Sequence, residues 1–443
     1  MLAKFLYRAF SQPLLTLRLA RPGRIKKAIL FLFSSRTNLN ELYRRSEEIY
    51  AGSNKCSLVL EKSGTSRKPK KTILIFPLID WDHRHQRPQH LALHLGRRGY
   101  RVFYFSTIPL MGKESYRVTG QFEEHVHVCR LRAGGFRIDD IHRDAMSPAA
   151  RDGYMASLQQ LMKDMEIESP IVILHHPYWA PFAEQIPGAR IGYDCMDHHQ
   201  GFHDEAAIGM DPSELSLLKA ADFVVASSVY LRDKFRAVRD VTLIPNGCEY
   251  DVFSNVAPPP RGSIPVAGYI GAIAKWFDIH LLIEVAQKLP GWMFVLVGTT
   301  AGCATWNAKR IPNIKIVGEV PYADVPAQLA SFDVCMIPFR ITELTKATNP
   351  VKVYEYLASG RPVISTPIPE VKLLSGKVKI AATANEFVAK LQESLEVQRS
   401  VCEGWRRWAA GQDWSYRAAA FEEAMLGLSP SVSRMTRVSS FLT

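Results

Sequence analysis

The sequence has no uninterrupted apolar run near the ~20 residues that a membrane-spanning helix requires. The longest such stretch is Ala28 to Phe33. Arginines interrupt the apolar stretches near the amino terminus, which makes a secretory signal a poor fit. We therefore expect neither a spanning helix nor secretion.

Cysteine is also scarce and shows no pairing pattern. The seven cysteines are odd in number, scattered and without close pairs, which argues against a disulfide framework or a zinc site. They are Cys56, Cys129, Cys195, Cys248, Cys303, Cys335 and Cys402. This usage is typical of a reducing compartment, so we expect a cytoplasmic protein.

Acidic residues are absent from the first 40 positions, which carry eight of the lysines and arginines. The chain has a net charge of +12, so the remaining 403 residues carry only +4. A body with so little excess charge argues against a nucleic-acid-binding protein. A basic, apolar arm suits an anionic membrane surface. The alternative is an arm that packs on its own domain or stays disordered.

The rest of the chain alternates between strand and helix patterns, as parallel α/β sheets do. Length and 47% hydrophobic residues fit a globular protein of two or three domains. We predict a doubly wound α/β fold built from two Rossmann-like halves that face a cleft. Its parts are a basic extension (1–71), a first domain (72–257), a second domain (258–412), a helix crossing back to the first domain (413–428) and a frayed tail (429–443).

The proline-rich segment 258–262 marks the linker between the halves. Several strands are followed by polar loops, the arrangement found where ligands bind at the carboxyl edge of such sheets. Two loops carry His176 and the run Asp194 to His199. We expect a ligand site at this edge.

The segment Asn349 to Thr366 predicts a helix followed by a strand. Asn349 is expected to cap the helix, Pro350 to begin it and Gly360 to end it. Lys352 and Glu355 share one face of this helix, near a terminus whose free N–H groups attract phosphate. The alternative is a solvated Lys–Glu pair on an ordinary surface helix.

With these elements in place, the chain resembles a GT-B glycosyltransferase of the group usually called family 4. The resemblance covers roughly residues 72–428 and rests on an ordered set of motifs. They are W-D-H-R-H-Q-R-P-Q-H-L-A from Trp81, Y-D-C-M-D from Tyr193, P-N-G from Pro245 with Phe253, G-Y-I-G from Gly268 with W-F-D from Trp276, and N-P-V-K-V-Y-E from Asn349.

The resemblance implies a nucleotide-sugar donor held mainly by the second half and an acceptor held mainly by the first, with no metal or other cofactor. The acceptor would be a glycan or lipid-linked hydroxyl in cell-surface polysaccharide or glycolipid synthesis. Donor-binding candidates are Gly271, Lys275, Val320, Asn349, Lys352 and Glu355. Lys275 could equally be a surface lysine, and the turn around Val320 a plain turn.

In the first half, Arg84 and Arg87 are candidates for acceptor or phosphate contact, although Arg87 could instead orient its loop. Asp197, His198 and His176 are candidates for a catalytic base or an acceptor-hydroxyl contact, against purely structural roles. His90 and His94 lie one helical turn apart, which would permit metal ligation, but no third ligand is evident.

The chain departs from the family at one position. Members typically carry two glutamates seven residues apart; Glu355 matches the second, but Ala347 occupies the position of the first. Glu343 lies nearby at the wrong spacing. We expect a hexosyltransferase that retains anomeric configuration, although Ala347 weakens the expectation of retention. The alternatives are a nucleotide-sugar epimerase and a non-catalytic nucleotide-sugar-binding regulator; a dehydrogenase is disfavoured because G-Y-I-G lacks the G-x-G-x-x-G spacing.

Overall fold

A computed structural model describes residues 70–110, 113–134, 141, 144–202, 210–259, 264–300, 303, 305 and 307–428. The basic arm, part of the proline-rich linker and the tail from residue 429 lie outside these residues. The fold is α/β with parallel sheets, as predicted. No helix in the described residues is both long and apolar enough to cross a membrane.

The described strands are β1 (Thr72–Phe76), β2 (Arg101–Phe105), β3 (Tyr116–Phe122), β4 (Val126–Leu131), β5 (Ile171–Leu174), β6 (Arg190–Cys195), β7 (Phe223–Ala226), β8 (Thr242–Leu243), β9 (Val266–Ile270), β10 (Met293–Val297), β11 (Ile314–Gly318), β12 (Val334–Ile337), β13 (Val363–Ser365) and β14 (Lys379–Ile380). The helices are α1 (Arg87–Arg97), α2 (Pro148–Asp164), α3 (Ala180–Ala183), α4 (Pro212–Ala220), α5 (Val229–Phe235), α6 (Tyr250–Ser254), α7 (Ile279–Lys288), α8 (Val325–Ala330), α9 (Glu343–Ala347), α10 (Val351–Ala358), α11 (Pro369–Lys372), α12 (Ala384–Leu395), α13 (Arg399–Ala410) and α14 (Trp414–Leu426). Short 3₁₀ segments occur at Pro177–Trp179, His199–Phe202, Ala308–Arg310 and Tyr322–Asp324.

The chain forms two compact units. The first comprises the described parts of Met1–Asp80, Gly99–Val172 and Tyr178–Ala189, and the second those of Trp81–Arg98, Ile173–Pro177 and Arg190–Thr443. In the first unit, β2 pairs in parallel with β1 and β4, and β3 joins β4 antiparallel. Phe76 stacks on Phe105 with ring centroids 4.6 Å apart, so aromatic packing fixes this core. The domain boundaries given above stay a prediction.

The second unit holds the parallel set β6-β7-β8 and a six-stranded parallel sheet in the order β11-β10-β9-β12-β13-β14. Helices cover the six-stranded sheet and bury one continuous apolar core. The strand order reverses beside β9, which is where open α/β sheets bind ligands. Gly271 follows β9 directly, so the predicted donor-binding turn lies at this reversal.

Two boundaries differ from the sequence prediction. Strand β6 runs to Cys195, so Asp194 and Cys195 lie in a strand rather than in the loop after it. Helix α10 begins at Val351 with Pro350 as its N-cap residue, and no side chain caps it. Asn349 was therefore wrongly assigned as the cap, because its side chain bonds to distant partners instead. The end of the helix is as predicted, with Gly360 at a φ of +72°.

Candidate functional site

Helix α10 carries Lys352 and Glu355, two charged residues predicted to bind the donor. Its side chains Val353 and Leu357 lie one helical turn apart and are buried in the core. Glu355 is only 7% exposed. The pair with Lys352 is therefore not the solvated surface pair that was the alternative. A carboxyl group held this far from water needs partners.

Burial raises the pKa of the Glu355 carboxyl to about 7, while Lys352 and a hydrogen bond from Tyr322 oppose that rise. The Tyr322 hydroxyl donates to Glu355 Oε1 at 3.1 Å. The ring of Tyr322 stacks on His85 with centroids 4.9 Å apart. Tyr322 was not among the predicted site residues, since nothing at the end of the turn Gly318 to Pro321 indicated a partner 33 positions further on.

Lys352 is half-buried among aromatic rings. Its Nζ lies 5.5 Å from the ring centre of Tyr269 and 5.1 Å from that of Phe339, distances at which a ring face attracts a cation. Burial lowers the pKa of Lys352 to about 8, and Glu355 opposes that change. An ammonium in this setting would gain strongly from a bound anion.

Gly271 leaves room for the Lys352 side chain to lie against the backbone of the turn after β9. Its φ is +141°, and a Cβ at this position would lie 3.0 Å from Lys352 Cε. Any larger residue would strain the backbone and crowd the lysine. Gly298, which was not predicted, is required for a similar reason, because a Cβ there would lie 1.8 Å from the carbonyl oxygen of Gly271.

A second cation lies in the same region. Arg84 Nε is 3.8 Å from Glu319 Oε1, a long ion pair, and this nitrogen makes no hydrogen bond within the described part of the chain. Burial lowers the pKa of Arg84, and Glu319 opposes it. Arg84 and Lys352 are close enough for the positive charge of Arg84 to disfavour protonation of Lys352. Two such cations beside a glycine turn form a candidate site for a diphosphate.

The other donor-binding candidates differ in character. Val320 is half-buried against the core, and Lys275 is exposed. Asn349 is 4% exposed, and both ends of its amide are engaged. Its Oδ1 accepts from the Asn246 backbone N–H and the Tyr354 hydroxyl, each at 3.1 Å, and its Nδ2 donates to Glu370 Oε2 at 2.9 Å. These bonds tie the start of α10 to Asn246 and Glu370, and the donor-binding role of Asn349 stays a prediction.

Arg87 is fully buried, which favours the orienting role over contact with phosphate. Its Nη2 donates to Asp194 Oδ1 at 2.8 Å, and its Nη1 donates to the carbonyl of Ile244 at 2.8 Å. Burial alone would raise the pKa of Asp194, but Arg87 and His175 outweigh burial and lower this pKa to about 2. This ion pair joins the first residue of α1 to β6 and to the segment after β8.

The three catalytic candidates follow β5 and β6. His176 contacts His199 with ring centroids 4.5 Å apart. Burial raises the pKa of Asp197 to about 7, a value suited to proton exchange near neutrality. His198 is 2% exposed, and its Nδ1 lies 3.0 Å from Lys234 Nζ. Lys234 was missed because a helical lysine 36 residues away carries no sequence signal for this contact.

Two side-chain clusters have residue types that could hold a metal. Cys195, His199 and Glu214 place ligand atoms within 4.8 Å of one another. However, the Tyr193 hydroxyl donates to Glu214 at 2.8 Å and the Lys234 ammonium lies 3.4 Å from its other oxygen. We therefore interpret this set as a hydrogen-bonded cluster.

The predicted pair His90 and His94 forms the second cluster. Both imidazoles bond to Glu249, with His90 Nδ1 at 2.8 Å and His94 Nε2 at 3.0 Å. Burial raises the pKa of Glu249, but the two histidines lower it well below its usual range. The third group that the sequence did not reveal is thus a carboxylate that bridges the two rings.

Comparison with known proteins agrees with this architecture. The fold is the GT-B glycosyltransferase fold. It resembles sucrose-phosphate synthase from Thermosynechococcus elongatus (TM-score 0.59, 15% identity, covering 85% of this chain and 100% of that one). It also resembles the trehalose-6-phosphate protein from E. coli solved with UDP-2-fluoro glucose bound (TM-score 0.59, 12% identity, 81% and 100%). At these identities the likeness defines the fold alone.

Sequence comparison finds similarity to known glycosyltransferases over part of the chain. Residues 264–396 match the family model "Glycosyl transferases group 1". A putative teichuronic acid biosynthesis glycosyltransferase, TuaH, from Bacillus subtilis is 32% identical over 171 residues, which covers 35% of this chain. The chain spans 43% of that relative's length. The matched family region includes Gly271, Lys352 and Glu355.

Proposed function

We propose that this protein is a glycosyltransferase that moves a sugar from a nucleotide-sugar donor to a hydroxyl of a glycan or lipid-linked acceptor. The process would be cell-surface polysaccharide or glycolipid synthesis, the kind of process for which the Bacillus subtilis relative is named. The matched group 1 domain and the GT-B fold support the reaction class.

One observation supports the donor site most: the half-buried ammonium of Lys352 lies beside the Gly271 turn, and the buried carboxyl of Glu355 on the same helix is close enough to oppose the lowering of the Lys352 pKa. Lys352 and Arg84 would bind the diphosphate and stabilise its negative charge as the sugar leaves. Glu355 would accept hydrogen bonds from the ribose hydroxyls. These cations can supply that stabilisation without a metal or another cofactor, so we propose that none is required.

We also propose that the anomeric configuration is retained. This rests on the family resemblance. Ala347 is fully buried, and Glu343 accepts a hydrogen bond from Tyr230 at 2.7 Å and pairs with Lys346 at 2.6 Å. Determination of the product's anomeric configuration by NMR tests this proposal; an inverted linkage would contradict it.

Incubation of the purified protein with a panel of nucleotide sugars tests the proposed activity. A transferase releases nucleoside diphosphate, and a lipid-linked acceptor increases the release. Interconversion of the sugar without release would instead indicate an epimerase. Binding without turnover over every acceptor would favour a non-catalytic regulator, the alternative that the alanine at position 347 keeps open.

We propose a cytoplasmic location, with the arm of residues 1–40 lying on an anionic membrane surface where a lipid-linked acceptor would be found. The eight positive charges of the arm and its lack of acidic residues support this. We propose no nucleic-acid partner.

A further inference from the structure

Glu319 follows β11 at the edge of the six-stranded sheet where Gly271 also lies. Strand β11 ends at Gly318, whose carbonyl accepts a hydrogen bond from the Gly298 N–H at 2.7 Å. The Gly271 N–H donates to the carbonyl of Val297, the residue before Gly298, at 2.8 Å. These backbone bonds place Glu319 beside the turn of the proposed diphosphate site.

The carboxylate of Glu319 faces Arg84 across a long ion pair. Arg84 Nε lies 3.8 Å from Glu319 Oε1, which is too far for a hydrogen bond. The two side chains are 32% and 40% exposed, so a dissolved anion can reach both groups. The Nε atom of Arg84 has no hydrogen-bond partner among the described residues. Partly exposed ion pairs of this kind contribute little to stability, so Arg84 can exchange Glu319 for a stronger partner.

A diphosphate is a stronger partner for Arg84 than Glu319 is. Phosphate oxygens can accept two parallel hydrogen bonds from a guanidinium, and Lys352 adds a second positive charge near Arg84. The carboxylate of Glu319 repels any anion that approaches Arg84. Anion binding must therefore overcome both the loss of the ion pair and this repulsion, and the repulsion increases with the negative charge of the anion.

We infer that Glu319 competes with the diphosphate for Arg84 and so weakens binding of the nucleoside diphosphate product more than binding of the nucleotide-sugar donor. The sugar esterifies one phosphate oxygen of the donor, so the product carries one more negative charge once the sugar has left. The inference rests on the proposed donor site. Within that site, Glu319 is a specificity-determining residue that favours release of the product.

Calorimetric titration of the full chain at constant ionic strength compares anions of different charge. The probes are inorganic pyrophosphate, UDP and UDP-glucose, with GDP and GDP-mannose as a second matched pair. Glu319→Gln removes the charge and keeps the size of the side chain. It should bind pyrophosphate and the nucleoside diphosphates at least about fivefold more tightly than the wild type, with a smaller gain for the nucleotide sugars. Unchanged or weaker binding of the diphosphates, or an equal gain for both members of a pair, would overturn the inference.

Glu284→Gln is the matched control. Glu284 lies on α7 with its side chain 58% exposed, and it pairs with Lys288 at 3.7 Å. This variant removes the same charge from a similar ion pair and should leave every affinity unchanged. Equal tightening in Glu284→Gln would show that the gain comes from net charge alone, which contradicts competition for Arg84.

A double variant tests whether Glu319 acts through Arg84. Arg84→Met removes the guanidinium, so adding Glu319→Gln to it should improve anion binding less than Glu319→Gln improves it in the wild type. An undiminished gain in the Arg84→Met protein would overturn the inference.

Failure of the inference and failure of the proposed function give different results. If the wild type binds a nucleotide sugar and Glu319→Gln binds every probe as the wild type does, the inference is wrong and the donor site stands. If neither protein binds any probe, the proposed donor site is wrong and the inference falls with it. During turnover, added nucleoside diphosphate should inhibit Glu319→Gln more strongly than the wild type, and equal inhibition would contradict the role in product release.

Discussion

Glu355 and Lys352 each titrate close to neutral pH, because burial disfavours the charged form of both. The pKa of Glu355 is raised to about 7 and that of Lys352 is lowered to about 8. Donor binding in the proposed site needs an ionised carboxylate and a protonated ammonium. Both conditions hold best between these two values.

Donor affinity should therefore rise as the pH increases through about 7 and fall as it increases beyond about 8. Calorimetric titration with the preferred nucleotide sugar between about pH 6 and pH 9 measures this profile. Glu355→Gln should remove the change at the acidic end. Lys352→Arg should remove the change at the alkaline end, since a guanidinium stays charged. A flat wild-type profile would count against both assigned roles.

Replacing Glu355 also tests its contribution to affinity. Loss of a hydrogen bond to a charged group costs about 1.5–3 kcal/mol, so Glu355→Gln should weaken donor binding about 10- to 100-fold. Glu393→Gln, an exposed carboxyl on α12, is the control and should bind as the wild type does. Unchanged affinity in Glu355→Gln would remove this residue from the donor site.

At the scale of elements, buried polar contacts tie the starts of α1 and α10 to other parts of the second unit. Arg87 bonds the first turn of α1 to Asp194 in β6, and Asn349 bonds the start of α10 to Asn246 and Glu370. Removing one partner of a buried ion pair leaves an uncompensated charge. These contacts therefore hold the first turns of α1 and α10 in place.

Arg87→Met should lower the free energy of unfolding by about 3–5 kcal/mol, seen as a reduced midpoint of thermal unfolding. The double variant Arg87→Met, Asp194→Asn should lose less of this free energy, because it leaves no buried charge without its partner. Arg236→Met, at an exposed position of the same unit, should have little effect. If Arg87→Met unfolds at the same temperature as the wild type, the ion pair does not stabilise the fold.

The ion pair between Arg87 and Asp194 also predicts that the stability of the fold depends on pH. The folded protein lowers the pKa of Asp194 from 3.8 to about 2. The stabilisation is therefore fully present above about pH 4 and is lost as the pH falls through about 2. The gap in melting temperature between wild type and Arg87→Met should narrow over that range. A gap that stays constant on acidification would contradict this assignment.

Local pattern predicted the elements better than it predicted their partners. The helix that begins at Val351 follows from its apolar spacing and the glycine that ends it. The strand at Val363 follows from its β-branched residues. The role of Asn349 could not be predicted this way, because its partners Asn246 and Glu370 are distant in sequence. Tyr322 and Lys234 were missed for the same physical reason: each acquires its role only through a tertiary contact.

At the scale of the whole molecule, charge is concentrated in a segment outside the described residues. Deleting residues 1–40 removes eight positive charges and should move the protein from the membrane to the soluble fraction. Co-sedimentation with anionic vesicles at low and high salt measures this, because attraction to a charged surface weakens as salt increases. A truncated protein that pellets as well as the full chain would rule out a membrane role for the arm.

The central claim is transfer of a sugar by a site built on α10. Release of nucleoside diphosphate from the preferred nucleotide sugar, measured with and without a lipid-linked acceptor, tests it most directly when wild type and Lys352→Met are compared. We predict acceptor-stimulated release by the wild type and a loss of about 100-fold or more in the variant, since Lys352 would stabilise the departing diphosphate. Equal release by the two proteins, or no effect of any acceptor, would contradict the account.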